Sequence, residues 1–150
     1  MAEATEPRPP RYLKSMNKVM MAVQKLGIPT GPAMVLTVPG RKSGRLRSTP
    51  MTPFQYDGAL YVVAGYPGAD WAANARAAGA GTLARGRRSR QVRIVELSAA
   101  EARPILRVFP VKVPVGVSFA KRSGMVRDGT PEEFEALAGQ LAVFRFDPAD

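Results

Sequence analysis

With 150 residues, of which 45% are hydrophobic, the chain has the length of one ordinary domain and enough apolar side chains for a core. It contains no Cys and no His, which excludes disulfides, thiolate chemistry and Ser-His or Cys-His nucleophilic catalysis, and leaves no transition-metal site of the usual ligands. Its net charge of +10 is unevenly placed: nine Lys or Arg and no acid lie between Glu6 and Asp57, and six Arg and no acid between Asp70 and Glu96, a field that concentrates anions.

No apolar run approaches the roughly 18 residues that cross a bilayer. The opening MAEATEPRPP lacks the apolar stretch of a secretory signal, so a cytoplasmic location is expected. Residues 1–10 are Pro-rich and polar and read as a loose tail, with 11–150 as a single domain. Next, Tyr12, Leu13, Met16, Val19, Met20, Val23 and Leu26 recur at three- and four-residue spacing, with Lys14, Lys18 and Lys25 off the stripe. That spacing predicts an amphipathic helix, ended by Gly27 and Pro29. Such a stripe packs on the domain, roofs a pocket for an apolar substrate, or makes a peripheral membrane contact.

AMVLTV (33–38) predicts a buried strand, and LRSTPMTPF (46–54) a second extended segment whose Pro50 and Pro53 suit an edge. Between them the turn PGRKSG leads a run that crowds Arg41, Lys42, Arg45 and Arg47 around two glycines. YDGA (56–59) is a hairpin turn centred on Asp57-Gly58, leading into a strand at LYVVAG (60–65). DWAANARAAG (70–79) predicts a short helix with Asp70 as N-cap and Gly79 just past its end. GTLARG (81–86) and QVRIVEL (91–97) predict two strands joined by an Arg-rich turn at 86–90. SAAE (98–101) is a capping box opening a helix that Pro104 kinks. VKVPVGVSFAKRSG (111–124) fits no single pattern. TPEE (130–133) caps another helix with Pro131 at its first position, and LAVFRF (141–146) is a closing strand. The sum predicts an α+β, mainly β domain: a small barrel of about six mostly antiparallel strands with peripheral helices.

Three stretches carry candidate chemistry. In the basic turn, Arg41, Lys42, Ser43 and Gly44 offer charge, a hydroxyl and accessible backbone N–H groups, and Arg47, Ser48 and Thr49 continue the polar run. Arg grips a phosphate or carboxylate through paired hydrogen bonds and Lys adds a point charge. The same stretch also reads as a solvated hairpin tip, and it lacks the order of a Walker phosphate loop. In GYPGADWAANAR (65–76) the glycines allow close approach of a flat ligand, and a helix begun at Trp71 places Asn74 and Ala75 on its face. Its N-terminus can hold an anion, while Trp71 as a core anchor and Asn74 as a structural cap is the plainer reading. RGRRSRQVR (85–93) has five arginines in nine residues but no aromatic for base stacking, and reads as a solvated hairpin.

Taken together, LTVPGRKSGRLRSTPM, the Asp-Gly hairpin, YVVAG and DWAANARAAG resemble the deazaflavin-dependent nitroreductase family of actinobacteria, across about residues 30–100. The resemblance implies a split β-barrel and coenzyme F-420, a deazaflavin with a phosphate and a polyglutamate tail, rather than FMN. It implies an oxidoreductase in which the reduced cofactor gives a hydride to a small activated acceptor: an enone, a quinone or a nitro compound. Arg41, Lys42, Ser43, Gly44, Arg47, Ser48, Thr49 and Pro50 fall on the family's cofactor-binding turn and strand. Val63, Ala64, Gly65 and Tyr66 match the segment under the ring, and Asp70, Trp71, Ala72, Ala73 and Asn74 the W-x-x-N helix start.

The match departs in three places, one of them a short loop before Trp71. The family's Ser-Lys pair after V-V-A is Gly65-Tyr66 here, and 109–119 has none of the tyrosines found on a later helix of nitroimidazole-reducing members. The Gly65-Tyr66 change removes one tail or ring contact, and the missing tyrosines argue against nitroimidazole reduction and for an apolar acceptor, with Tyr66 and Tyr12 as candidate proton donors or substrate contacts. No metal is implied, and the chain is expected as a monomer or homodimer. Two other classes stay open: a non-catalytic lipid, fatty-acid or deazaflavin carrier on the same fold, and a basic nucleic-acid-binding protein.

Overall fold

The computed structural model describes residues 33–149. The predicted N-terminal helix, including Tyr12, lies outside the described residues. Seven strands form one sheet: β1 (Met34–Pro39), β2 (Leu46–Met51), β3 (Phe54–Tyr56), β4 (Ala59–Val63), β5 (Ala80–Arg85), β6 (Arg88–Glu96) and β7 (Val143–Pro148). Four helices accompany it: α1 (Asp70–Ala78), α2 (Ala99–Lys112), α3 (Pro114–Arg122) and α4 (Pro131–Glu135). The strand order is β2-β1-β5-β6-β7-β4-β3, with every neighbouring pair antiparallel.

That order forces the sheet to curl. Only Thr52 and Pro53 separate β2 from β3, yet these are the two outermost strands. Such a link reaches about 11 Å. Six strand spacings laid flat would put the two edges about 29 Å apart. The edges must therefore approach each other, which makes the sheet an opened barrel and the fold an α+β split barrel.

Alternation then sorts the side chains. The face bearing Leu36, Val38, Leu60, Val62, Leu83, Val92, Ile94, Phe144 and Phe146 turns inward, and Ala69, Ala72 and Ala75 of the α1 region close one end of it. The opposite face of β3, β4 and β7 presents Phe54, Val63 and Val143 to Ile105, Leu106 and Phe109 of α2 and Phe134 of α4. Phe109 stacks obliquely on Phe134 and Phe54, at 5.3 and 6.0 Å between ring centres.

Several expectations are corrected. The expected count of about six strands comes out at seven among the described residues, because the segment 46–54 divides after Met51 and Phe54 joins the far edge. Asp70 is the first helical residue of α1 and the N-cap is Ala69, which offers no side-chain acceptor. The Arg-rich turn shrinks to Gly86-Arg87, since β6 already starts at Arg88 and pairs back to Arg85. α2 opens on the expected capping box at Ser98 and Glu101, but it runs on through Pro104 and Pro110 to Lys112. The undecided stretch 111–124 holds the end of α2 and all of α3, which Pro114 opens as an N-terminal proline.

The Asp57-Gly58 turn behaves as predicted: both residues have positive φ, +49° and +80°, as a tight hairpin between β3 and β4 requires. Pro50 and Pro53 sit on and beside an edge strand, where a missing N–H breaks no central ladder.

Candidate functional site

The turn between β1 and β2 is closed by its own backbone. Gly40 N–H donates to Arg45 O at 2.7 Å, and Gly44 N–H to Gly40 O at 2.9 Å. Gly44 has φ +74°, the left-handed conformation that glycine adopts without a Cβ penalty. Ser43 Oγ accepts from Arg45 N–H at 3.2 Å, so this hydroxyl shapes the turn. Lys42 and Arg45 are exposed.

Arg41 is drawn away from the turn toward α1. Its backbone N–H donates to Asn74 Oδ1 at 3.0 Å, and its guanidinium donates to the same oxygen at 2.8 Å. The guanidinium also approaches the Asp70 carbonyl and carboxylate, each at 3.5 Å. Asn74 is the single buried polar side chain among the described residues, at 8% exposure. Its Oδ1 is thus doubly satisfied, while its Nδ2 donor has no acceptor among the described residues. A buried donor left without an acceptor costs about 1–3 kcal/mol, so this amide favours a partner at the adjoining cavity.

Beside this clamp lies a cavity of about 480 Å³. Its walls are small: Ala64 after β4, Ala69, Ala72 and Ala73 around the start of α1, Ala99 and Ala102 at the start of α2, and Leu141 and Ala142 before β7. Its polar rim is Arg41, Tyr66, Asp70, Arg76, Glu96 and Gln140. Arg76 and Glu96 form a two-pronged pair across part of that rim, Nε to Oε1 at 2.6 Å and a terminal nitrogen to Oε2 at 2.7 Å. The pair holds the Glu96 carboxyl below its ordinary range and the Arg76 guanidinium above its own. Tyr66 is half-buried, and removal from water together with the Asp70 carboxylate raises its phenol above 10.0. The hydroxyl therefore stays protonated at neutral pH.

The structure gathers some of the residues singled out in the sequence and separates others. Arg41, Ala64, Tyr66, Asp70, Ala72 and Ala73 meet at the cavity, and Asn74 joins them through Arg41. Trp71 packs inward on Phe144, 5.6 Å between ring centres, and so is a core anchor. Val63 is buried with the helices on the other face of the sheet. Gly65 lies beside Phe119 of α3. Lys42, Ser43 and Gly44 form the exposed tip of the turn.

The β2 residues divide by register. Arg47 and Thr49 share the inward face with their partners Val38 and Leu36, while Ser48 and Pro50 share the other face with Thr37 and Val35. Ser48 Oγ is hydrogen-bonded to Thr37 Oγ1 at 2.7 Å. Successive residues of a strand point to opposite faces, so one ligand cannot lie against all four from one side.

Arg76, Glu96 and Gln140 were not anticipated. Arg76 had a signal: it lies three residues after Ala73 and four after Ala72, on the same helix face. Gln140 had none, because its loop reaches the cavity only through the final crossover to β7. Among the described residues no group of three or more potential metal ligands comes together, and no helix is long and apolar enough to cross a membrane.

Comparison with known proteins gives the fold and the family. No curated protein matches the chain. Among solved structures, a domain-swapped dimer matches with TM-score 0.56 and 18% identity, covering 91% of this chain and 99% of that one. An F420-H2-dependent reductase matches with TM-score 0.53 and 18% identity, covering 77% and 94%. A protein of unknown function from Agrobacterium tumefaciens matches with TM-score 0.58 and 12% identity, covering 89% and 55%. At these identities the structures establish the shared fold. The family model of F420H(2)-dependent quinone reductases matches residues 11–127, and the chain belongs to that family of F-420-dependent reductases.

Proposed function

We propose that the chain holds coenzyme F-420 against the Arg41–Asn74 clamp and the adjoining cavity, and reduces a small apolar acceptor such as a quinone, an enone or a nitro compound. The observation that carries this reading is the buried Asn74 amide beside the cavity, tied by its oxygen to Arg41 and with no acceptor for its donor among the described residues. The residues fit the group. Arg41 and Lys42 supply charge for an anionic phosphate or tail, the Asn74 amide supplies a neutral donor, and a wall of alanines admits a planar ring.

Once bound, the reduced deazaflavin supplies a hydride. The protein's share is positioning. The small alanine side chains of the walls leave a flat ring room to approach the backbone, while the charged rim supplies its polar contacts. Arg41 lies where negative charge would be held, and its orientation is fixed at two points by Asn74. The Tyr66 hydroxyl, protonated at neutral pH, can donate to an oxygen of the acceptor as charge develops there. The Arg76–Glu96 pair closes one side of the rim.

The test is a fluorescence titration of F-420 with the purified protein and with Asn74→Ala and Arg41→Ala variants, followed by turnover of a quinone. Binding that weakens at least about tenfold in each variant is expected for the loss of one charge-assisted or buried hydrogen bond. Unchanged affinity in both variants would remove the clamp from the cofactor site.

A further inference from the structure

Among the described residues, four charged side chains line the cavity beside the clamp: Arg41, Asp70, Arg76 and Glu96. Asp70 and Glu96 are the only acids from residue 58 to residue 100, a stretch with six arginines. Both stand at this one cavity. The register explains Glu96. It ends β6 two residues after Ile94, on the inward face, opposite Phe144. Arg76 comes from α1, whose end is tied to β6 where Ile94 N–H donates to Gly79 O at 2.9 Å.

The two arginines are held differently. Arg41 meets the Asp70 carboxylate at 3.5 Å, and that carboxylate is 90% exposed, so a bound anion can displace it. Arg76 gives Nε and a terminal nitrogen to the two oxygens of Glu96, at 2.6 and 2.7 Å. That pairing uses the fork with which an arginine grips a carboxylate or a phosphate. With side chains 51% and 33% exposed, the pair adds little to stability. Its larger effect is on the field in the cavity. A guanidinium beside a wall of alanines draws anions, and Glu96 cancels it.

We propose that Glu96 is a specificity-determining residue, which restricts the cavity to uncharged acceptors by occupying Arg76. This rests on the reading that the Arg41–Asn74 clamp holds F-420, which leaves Arg76, Glu96 and Gln140 as the polar rim on the acceptor's side. An anionic acceptor meets a neutralised arginine and a carboxylate there, whereas an uncharged one meets no repulsion. Glu96→Gln keeps the shape and one acceptor for Arg76, and leaves the charge of Arg76 uncancelled.

The test compares naphthoate with its uncharged isostere naphthamide, by calorimetric titration of the full chain without F-420. The wild type is set beside Glu96→Gln, an Arg76→Gln, Glu96→Gln double variant, and Glu132→Gln. The last change raises the net charge equally, on α4, and lines no part of the cavity. Naphthoate held by Arg41 is common to all four proteins and cancels in the comparison. In Glu96→Gln the ratio of naphthoate to naphthamide affinity should rise at least about threefold. In the double variant and in Glu132→Gln it should stay within about twofold of the wild type. Naphthamide affinity itself should hold within about twofold throughout, which shows that the cavity is intact. With F-420 supplied, kcat/KM for a naphthoquinone sulfonate relative to the unsubstituted naphthoquinone should rise in Glu96→Gln by a similar factor.

The proposal is overturned by a smaller rise or no saturable naphthoate binding in Glu96→Gln, by an equal rise in Glu132→Gln, or by a rise that persists in the double variant. A rise in binding without one in turnover would also overturn it, by setting this charge selection off the acceptor's path. If the wild type bound no F-420, the cofactor reading would fail. The naphthoate ratio needs no cofactor and would still decide whether Glu96 selects the charge of what enters the cavity.

Discussion

The backbone N–H and the guanidinium of Arg41 both donate to one oxygen of Asn74, at 3.0 and 2.8 Å, across 33 residues of sequence. The turn after β1 is thereby fastened to the first turns of α1. The two halves of the bond have different consequences, which separates a structural role from a binding role. Asn74→Ala removes both hydrogen bonds and leaves the Arg41 N–H without its acceptor. It should cost about 1–3 kcal/mol of stability as well as F-420 affinity. Arg41→Ala keeps the backbone bond to Asn74. It should cost less than about 1 kcal/mol, read by urea denaturation, yet weaken F-420 as much as the asparagine change.

Tyr66 tests the acceptor side. The residue lines the cavity, and burial together with Asp70 holds its hydroxyl protonated. Tyr66→Phe should leave F-420 affinity within about twofold and slow acceptor reduction about 10²-fold, in kcat rather than KM. The raised phenol puts the alkaline limb of the wild-type rate above pH 10.0, where the donor proton is lost. The phenylalanine variant should lack that limb in a kcat–pH profile.

A third prediction concerns the barrel. A Cβ on Gly81 would stand 2.8 Å from the carbonyl oxygen of Thr37 and 2.7 Å from Val38 Cγ1. The carbonyl belongs to the neighbouring strand β1 and cannot rotate away. Gly81→Ala should therefore destabilise by about 2–3 kcal/mol. For a domain of this size that lowers the melting temperature by about 4–12 °C, measurable by calorimetry.

Glu133 governs the acid limit of the helical layer. Its carboxylate accepts from the N–H groups of Arg127, Asp128, Gly129 and Thr130, at 2.7, 2.9, 2.7 and 3.1 Å. These hydrogen bonds, that from Arg127 foremost, lower its carboxyl from 4.5 to about 2. A depressed folded value means the stabilisation is fully present above pH 4.5 and is lost as the pH falls toward 2. In Glu133→Gln that component of the pH dependence should vanish. Parallel urea titrations across this window in both proteins decide it: identical slopes would show that Glu133 does not stabilise the loop.

Much of the local structure was legible. The Asp57-Gly58 turn, the capping boxes at Ser98 and Thr130, and the glycine ending α1 are signals confined to a few neighbouring residues, and each acts as read. Where readings failed, the deciding partner was distant or absent from the window. Asp70 was taken for a cap because cap residues are short and polar, yet its side chain faces Arg41 instead. The strand LRSTPMTPF looked continuous because the two residues of its break, Thr52 and Pro53, gain their meaning only when the sheet curls.

The sequence by itself determined most of the described elements, the basic turn, the W-x-x-N helix and the family they mark, because periodicity, turn chemistry and motif spacing are short-range properties. The tertiary structure alone decided three other matters. It sent β3 to the edge opposite β2, and set Arg41 on Asn74. It also brought Arg76, Glu96 and Gln140 to one cavity. Those placements follow from the curl of a seven-stranded sheet and the register of its pairs, which are set by the burial of both faces at once.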